Sequence, residues 1–369
     1  MTEILAARSV LSDGRFGPGW LAIADGRVVD AGSGDAPAGA TDLGALLLAP
    51  GFVDIQVNGC QAVDFLRASG DEWSVAGRAL AAAGTTSFLP TLCSSPRDRY
   101  AGALDRVRDA RERAEGARID GVHLEGPFLG GAPGAHPPAL LGPVDHVWLA
   151  ALLDGWPDLL RLVTLAPEAD PDGAATRRLV AAGVRVALGH STCSYDEAVR
   201  AADAGASIVT HLGNGMRPLH QRDPGLVGAA LTDPRLVPSV IADGVHLHDA
   251  FLRVATAMRP DAILVSDAVA TGIEYFGAAV AAIDGAAFLP DGMLTGATVM
   301  LDACVRTLLR LGVPPALALS MASVHPARAI GLDTWGAVGV GGRADLIGLD
   351  PRDATVRAVW IDGRPVDAA

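Results

Sequence analysis

The chain contains no lysine; every one of its 29 lysine-or-arginine positions is arginine. That absence excludes a Schiff-base lysine, the lysine of a phosphate-binding loop and a carbamylated lysine bridging two metal ions. Cysteine is scarce too. Cys60, Cys93, Cys193 and Cys304 are scattered with no Cys-x-x-Cys spacing, the pattern of buried free thiols in a reducing compartment. No apolar run is long and uninterrupted enough to cross a bilayer. The first residues lack the basic stretch and apolar core of a secretory signal, so the expected location is cytoplasmic. Positive charge is outweighed, with a formal net charge of −13. That balance argues against a nucleic-acid or anionic-membrane partner. It still permits a local Arg/His pocket for a phosphorylated metabolite.

What is present supports a large core. Half of the 369 residues are hydrophobic, enough for one large domain with a smaller annex and against disorder. Residues 1–47 alternate apolar and polar positions between glycine turns, with Asp25-Gly26 as a hairpin turn. Residues 331–369 mirror this pattern, so both termini are expected to build one small composite β-sandwich domain. Between them, residues 48–330 carry eight short β-like runs, at 51–57, 85–92, 122–128, 160–165, 184–189, 207–211, 239–242 and 262–266. Helical stretches at 72–83, 97–114, 172–182 and 195–204 lie between runs. Alternating strand and helix predicts parallel strands with right-handed crossovers, and eight units fit a (β/α)8 TIM-like barrel of the α/β class. No Gly-x-Gly-x-x-Gly turn follows a first strand, which disfavours a doubly wound sheet.

Three of these runs end on metal-ligand chemistry. Glu125, His190 and His211 fall at the carboxyl ends of the third, fifth and sixth runs, where a barrel places its active site. Any one alone reads as an ordinary strand-end residue. Together they form a His2Glu set suited to a catalytic zinc with an open position for water, which points to a metal-activated hydrolase. Asp267 closes the eighth run; a carboxylate buried there is costly unless paired or engaged in proton transfer. The first run ends on Gln56 and Asn58, where many metallohydrolases carry His-x-His. Neutral amides are poor ligands but good hydrogen-bonding partners, so one divalent metal per subunit is expected. Ligand type favours Zn2+, with Fe2+, Mn2+ or Co2+ compatible. His136 lies on a Gly/Pro-rich loop that reads as a mobile flap. His246, Arg222 and Asn214 suit a phosphate through charge-assisted hydrogen bonds. Strict alternation puts His123 on the face of Glu125, as a hydrogen-bonding support for the ligands. His146, His220, His248 and His325 read as structural or surface residues.

Several stretches carry a likeness to a known family. They are Ala49-Pro-Gly-Phe-Val-Asp-Ile-Gln-Val-Asn-Gly, His123-Leu-Glu-Gly-Pro-Phe, Gly189-His-Ser, Thr210-His-Leu-Gly-Asn-Gly-Met, Ile241-Ala-Asp-Gly-Val-His and Leu264-Val-Ser-Asp-Ala. On these the chain resembles the N-acetylglucosamine-6-phosphate deacetylases of the amidohydrolase superfamily. The resemblance implies metal ligation by Glu125, His190 and His211, with Asp267 as acid and base. It implies sugar and phosphate contacts at Asn214, Gly215, Arg222 and His246, and further contacts near Ala135 and at Leu294, Thr295 and Gly296. His136 resembles the family histidine that holds and polarises the acetamide. The implied reaction is metal-dependent hydrolysis of that acetamide, giving glucosamine 6-phosphate and acetate, in a homodimer whose phosphate pocket is partly completed by the neighbouring subunit. Gly213, Gly215 and Thr271 depart from the family's frequent aromatic, alanine and proline. The competing expectations are a deacetylase for the galacto epimer, another amidohydrolase, and a non-catalytic scaffold.

Overall fold

The computed structural model describes residues 2–12, 15–332 and 338–366. The remaining parts of the two terminal segments, 1, 13–14, 333–337 and 367–369, lie outside the described residues.

Eight parallel strands form the centre: β1 Phe52–Val57, β2 Thr85–Cys93, β3 Val122–Glu125, β4 Leu160–Leu165, β5 Arg185–Leu188, β6 Ile208–Val209, β7 Val237–Ile241 and β8 Ile263–Val265. Each pairs with the next in chain order. A short extra strand, Arg118–Ile119, also pairs with β2. No ladder joins β8 to β1 among the described residues. At their carboxyl ends the Asp267 amide donates to the Gln56 carbonyl at 2.9 Å and the Asn58 amide to the Ala268 carbonyl at 2.7 Å. These bonds bring the sheet nearly to closure as a barrel. The expected strand sequence is therefore present in full. β1 and β2 are buried at every position, and strands covered on both faces read as the near-continuous apolar runs seen in the sequence.

The helices α1 Glu72–Ala82, α2 Asp98–Arg113, α3 His146–Gly155, α4 Ala174–Ala181, α5 Tyr195–Asp203, α6 Gly225–Thr232, α7 Asp249–Met258 and α8 Leu301–Arg310 surround it. α5 starts on a capping box: the Ser194 hydroxyl accepts from the Glu197 amide, and the Glu197 carboxylate accepts from the Ser194 amide. That reciprocal pair satisfies two amides the helix leaves open and anchors the loop that follows His190.

The inside of the barrel is apolar at one end and polar at the other. Val53, Ile55, Leu89, Leu162, Ile208, Ile241, Ile263 and Val265 pack as one cluster, plugged from outside by Ala327 and Ile330. Gln56, Asn58, His123, Glu125, His190, His211 and Asp267 are buried at the carboxyl ends of the strands. Burying that many polar groups is unfavourable unless each finds a partner.

The two ends of the chain meet in one eight-stranded sheet. Glu3–Ser12, Arg15–Ala24 and Arg27–Ser33 pair antiparallel, and Leu346–Leu349, Val356–Ile361 and Arg364–Pro365 continue the sheet from the other terminus. Leu47–Pro50 lies between the two groups, parallel to the first strand and antiparallel to Leu346–Leu349. This strand leads into β1 through Gly51 and ties the sheet to the barrel. Between β8 and α8 the chain forms small hairpins, with strands at Glu274–Tyr275, Ala278–Ala279, Ala281–Ile283, Ala286–Phe288 and Leu294–Ala297. They fold over the polar end of the barrel.

Candidate active site

Three functional side chains follow strands that end in a left-handed turn. His190, His211 and Asp267 have φ of 49°, 28° and 51°, a region costing a residue with a Cβ about 1–3 kcal/mol. Each comes two residues past its strand, β5, β6 and β8, and each side chain lines a cavity of about 200 Å³. Strain at three such positions is what a site that must aim side chains inward requires.

The Glu125 carboxylate lies at the centre. Its Oε1 is 3.1 Å from His190 Nε2 and 3.0 Å from His211 Nε2, and the two imidazole nitrogens are 3.1 Å apart. His190 Nδ1 is 3.2 Å from the Ala132 carbonyl. A carbonyl only accepts, so the neutral ring carries its proton on Nδ1 and presents a lone pair from Nε2. His211 Nδ1 is buried with no partner among the described residues. Three electron-rich atoms thus crowd one point that a single proton cannot satisfy, whereas a divalent cation can. The donor set fits such an ion. Burial alone would raise the Glu125 pKa, but when the neighbouring imidazoles are protonated, hydrogen bonds from His190 and His211 and the charges of His190 and His136 outweigh it and hold the carboxylate well below its usual range. Burial pulls His211 down, and its bond to Glu125 more than reverses that.

Hydrogen bonds from β1 fix this cluster. Gln56 Nε2 donates to Glu125 Oε1 at 2.9 Å, while Gln56 Oε1 accepts from the Thr210 hydroxyl at 2.7 Å. Asn58 Nδ2 donates to Asp267 Oδ1 at 2.8 Å. The two amides in place of His-x-His therefore act as braces for the carboxylates, as their chemistry suggested. His123 braces from below. Its ring nitrogens lie 3.2 Å from the Thr91 hydroxyl and 2.8 Å from the Thr164 hydroxyl, and burial pushes its pKa down to about 4. It is neutral, and among the described residues its ring bonds to Thr91 and Thr164 rather than to Glu125, His190 or His211.

Asp267 is pushed up to about 6 by burial and by the charge of Glu125. Its Oδ2 is 3.9 Å from His246 Nε2. His246 Nδ1 is held 2.7 Å from Asp243 Oδ2. His136 is also inside: Nδ1 lies 2.9 Å from the Ser94 hydroxyl and Nε2 3.8 Å from Glu125 Oε2. Burial, then the charge of His190, lowers its pKa to about 3.

Of the expected substrate contacts, Ala135, Asn214, Gly215, His246, Leu294 and Thr295 line the cavity together with His136 and Asp267. Gly296 and Arg222 do not line it. Gly296 packs behind it against Val269 and Asp267. Arg222 is exposed on the loop after β6, its amide bonded to His220 Nδ1 at 3.3 Å. His146, His220 and His248 are exposed, and His325 bonds to the Ala262 carbonyl at 3.0 Å; none is in the cavity. Sequence reasoning missed Cys93, Tyr275, Phe276 and Met293, which line it too. Cys93 ends β2, so its place at a strand's carboxyl end was the signal that could have found it. Its Sγ is 3.1 Å from Asn58 Oδ1 and 3.5 Å from Glu125 Oε2, and it accepts from the Tyr275 hydroxyl at 3.4 Å.

A nearly closed parallel barrel with a carboxylate–imidazole cluster at its carboxyl end defines a class, and the chain matches the amidohydrolase family over residues 47–366. The chain belongs to the amidohydrolase family. Among its relatives, the N-acetylglucosamine-6-phosphate deacetylase of Rattus norvegicus is 39% identical, covering 88% of this chain and 84% of that protein. The N-acetylgalactosamine-6-phosphate deacetylase of Escherichia coli O157:H7 is 37% identical over 99% of both. The structure of a mutant N-acetyl-D-glucosamine-6-phosphate deacetylase from Mycobacterium smegmatis, in complex with N-acetyl-D-glucosamine-6-phosphate, superposes with a TM-score of 0.92 at 36% identity over 99% of both chains.

Proposed function

We propose that the chain hydrolyses the acetamide of N-acetylglucosamine 6-phosphate to glucosamine 6-phosphate and acetate. The observation that carries this reading is the convergence of Glu125, His190, His211 and Asp267 in one cavity, in a chain whose relatives carry that activity in their names. Glu125, His190 and His211 would hold one divalent cation per subunit, zinc by ligand type. Bound there, it supplies Lewis-acid activation of water and of a carbonyl.

The chain's own residues do the rest. Asp267 keeps Oδ1 on Asn58 and has Oδ2 free toward the cavity. Oδ2 takes a proton from the attacking water and returns it to the amide nitrogen as the C–N bond breaks. His136, neutral and buried, donates from Nε2 to the acetamide oxygen when the Ser94 hydroxyl donates to its Nδ1. His246, fixed by Asp243, and Asn214 orient the sugar phosphate, so remote binding positions the amide. Arg222, exposed on the loop after β6, would reach phosphate by closing the pocket of a neighbouring copy in a homodimer. The separate apolar cluster of Leu5, Leu21, Val28, Leu346 and Trp360 supports residues 1–47 and 331–369 as a small β unit beside the barrel of 48–330, built on one eight-stranded sheet rather than the two layers of the expected sandwich. Four free buried cysteines support a reducing, cytoplasmic setting. No described helix is long and apolar enough to cross a membrane.

The second reading is the galacto epimer, favoured by the full-length match to the Escherichia coli relative. Acetate release measured with N-acetylglucosamine 6-phosphate, N-acetylgalactosamine 6-phosphate and unphosphorylated N-acetylglucosamine tests both. Faster turnover of the gluco phosphate supports the first reading. Preference for the galacto phosphate replaces it, and equal turnover without phosphate removes the phosphate pocket from either.

A further inference from the structure

We propose that the cavity holds a second, thiolate-bound divalent cation on Cys93 Sγ, Glu125 Oε2 and His136 Nε2, whose occupation blocks substrate. The missing His-x-His had argued for a single ion. The structure instead gathers a different donor set on the other oxygen of the same carboxylate. The three ligand atoms lie within 4.8 Å of one another, and all three residues are buried. Glu125 Oε1 faces His190 and His211 while Oε2 faces Cys93 and His136, so the carboxylate would bridge the two positions.

His136 Nε2 is unspent, and the Cys93 thiol, which donates to Asn58 Oδ1 at 3.1 Å and to Glu125 Oε2 at 3.5 Å, already faces the carboxylate oxygen with which it would share the ion. His136 is 5% exposed, and its Nε2 has no hydrogen-bonding partner among the described residues, Glu125 Oε2 at 3.8 Å being beyond hydrogen-bonding range. The Ser94 hydroxyl donates to the Glu125 carbonyl at 3.4 Å. In that orientation Ser94 Oγ accepts from His136 Nδ1–H, and Nε2 presents a lone pair to the cavity. Cys93 Sγ also receives a hydrogen bond from the Tyr275 hydroxyl at 3.4 Å, which fixes the sulfur beside Glu125 Oε2. Ion binding displaces the thiol proton to solvent and forms the metal–sulfur bond. The set of one thiolate, one imidazole and one carboxylate selects soft or borderline ions, zinc, cobalt or cadmium, over magnesium or calcium.

Occupation uses the Nε2 lone pair of His136, whereas the acetamide needs an N–H at the same atom. One ring therefore serves either the substrate or the second ion, and excess cation inhibits. The inference rests on the first ion being held by Glu125, His190 and His211, and the test separates the two. Purified protein is stripped of metal and titrated with Co2+. The ion content after dialysis, the thiolate-to-cobalt charge-transfer absorption and acetate release are followed together. The expected result is two equivalents per chain, with the charge-transfer band growing only with the second and turnover falling as it binds. Cys93→Ser should stop at one equivalent, lose the band and resist excess cation. His136→Gln supplies the same stoichiometric test should Cys93→Ser fail to fold, as checked by circular dichroism. Saturation of the wild type at one equivalent overturns the proposal, whether or not the band appears. So does a Cys93→Ser protein that still binds two, or a second equivalent that leaves turnover untouched. Two equivalents with no deacetylation of any phosphorylated acetylhexosamine would retain the second ion's position and remove the proposed reaction.

Discussion

Gln56 donates to the Glu125 oxygen that also faces His190 and His211, at 2.9 Å. An amide thus occupies a position from which it orients the Glu125 carboxylate without competing for the proposed ion. Its other end is held by the Thr210 hydroxyl, next to His211 in the chain. Gln56→Leu keeps the volume and removes both bonds. Partners of this kind typically contribute 10–100-fold in metal affinity. Competition with a chelator should show the first ion held about 10-fold or more weakly in the variant. Unchanged affinity would mean Gln56 only fills space.

Asp267 provides the pH dependence. A proton-accepting role requires the ionised carboxylate, and burial with the nearby Glu125 charge raises its pKa to about 6. Activity is then lost as pH falls through the midpoint, roughly tenfold per unit below it. A bound cation favours the ionised form, so the acid limb of kcat/KM should lie at or below about 6. Asp267→Asn should retain the metal and lose most turnover, at least about 100-fold. A midpoint above neutrality, or an Asn variant with wild-type kcat, would take Asp267 out of the proton path.

Much of this arrangement was legible before any coordinates. The eight strands and the gathering of Glu125, His190 and His211 at their carboxyl ends followed from a simple physical fact: parallel strands buried on both faces are short apolar runs, and each polar residue ending one stands out. The hairpins at 274–297 had no such signal, because strands of two to four residues are too short to show a period. Phe276 and Met293 were therefore missed. Cys93 was missed for a different reason. Cysteines weighed by their mutual spacing look inert when unpaired, and the spacing hides that one of them ends β2. Arg222 shows the opposite limit. It follows β6 closely in sequence, yet the direction of a loop depends on packing around it, and here the side chain is exposed away from its own cavity.

That exposure makes a test of the dimer. If Arg222 serves a neighbouring copy, Arg222→Ala should raise KM for the phosphorylated sugar with little change in kcat. Losing a charge-assisted contact of about 1.5–3 kcal/mol corresponds to a KM increase of roughly 10–150-fold. Arg222→Ala and Asp267→Asn chains mixed under conditions that exchange subunits should then regain activity. The hybrid has one cavity with an intact Asp267 and an arginine from its partner. Mixtures showing only the average of the two parents would confine Arg222 to its own chain or to no role.

Gly215 is the most constrained point of the cavity-lining loop after β6. Its φ is +58°, and a Cβ there would sit 2.8 Å from His190 Nδ1 and 3.3 Å from the Ala132 carbonyl oxygen. Those two atoms form the bond that fixes the His190 tautomer, so a methyl group cannot enter without loosening it. Gly215→Ala should cost roughly 1–2 kcal/mol from backbone strain alone, and it should also weaken retention of the first ion, because His190 loses its anchor. Gly142, where a Cβ meets nothing within 4 Å, provides the control: its alanine variant should leave both thermal stability and metal retention as they were. Since strain acts on folding and the His190 contact on the ion, the two effects separate when melting is compared with and without metal. An alanine at 215 that melts lower but keeps its ion as tightly as the wild type would show that the Ala132 bond does not set the state of His190.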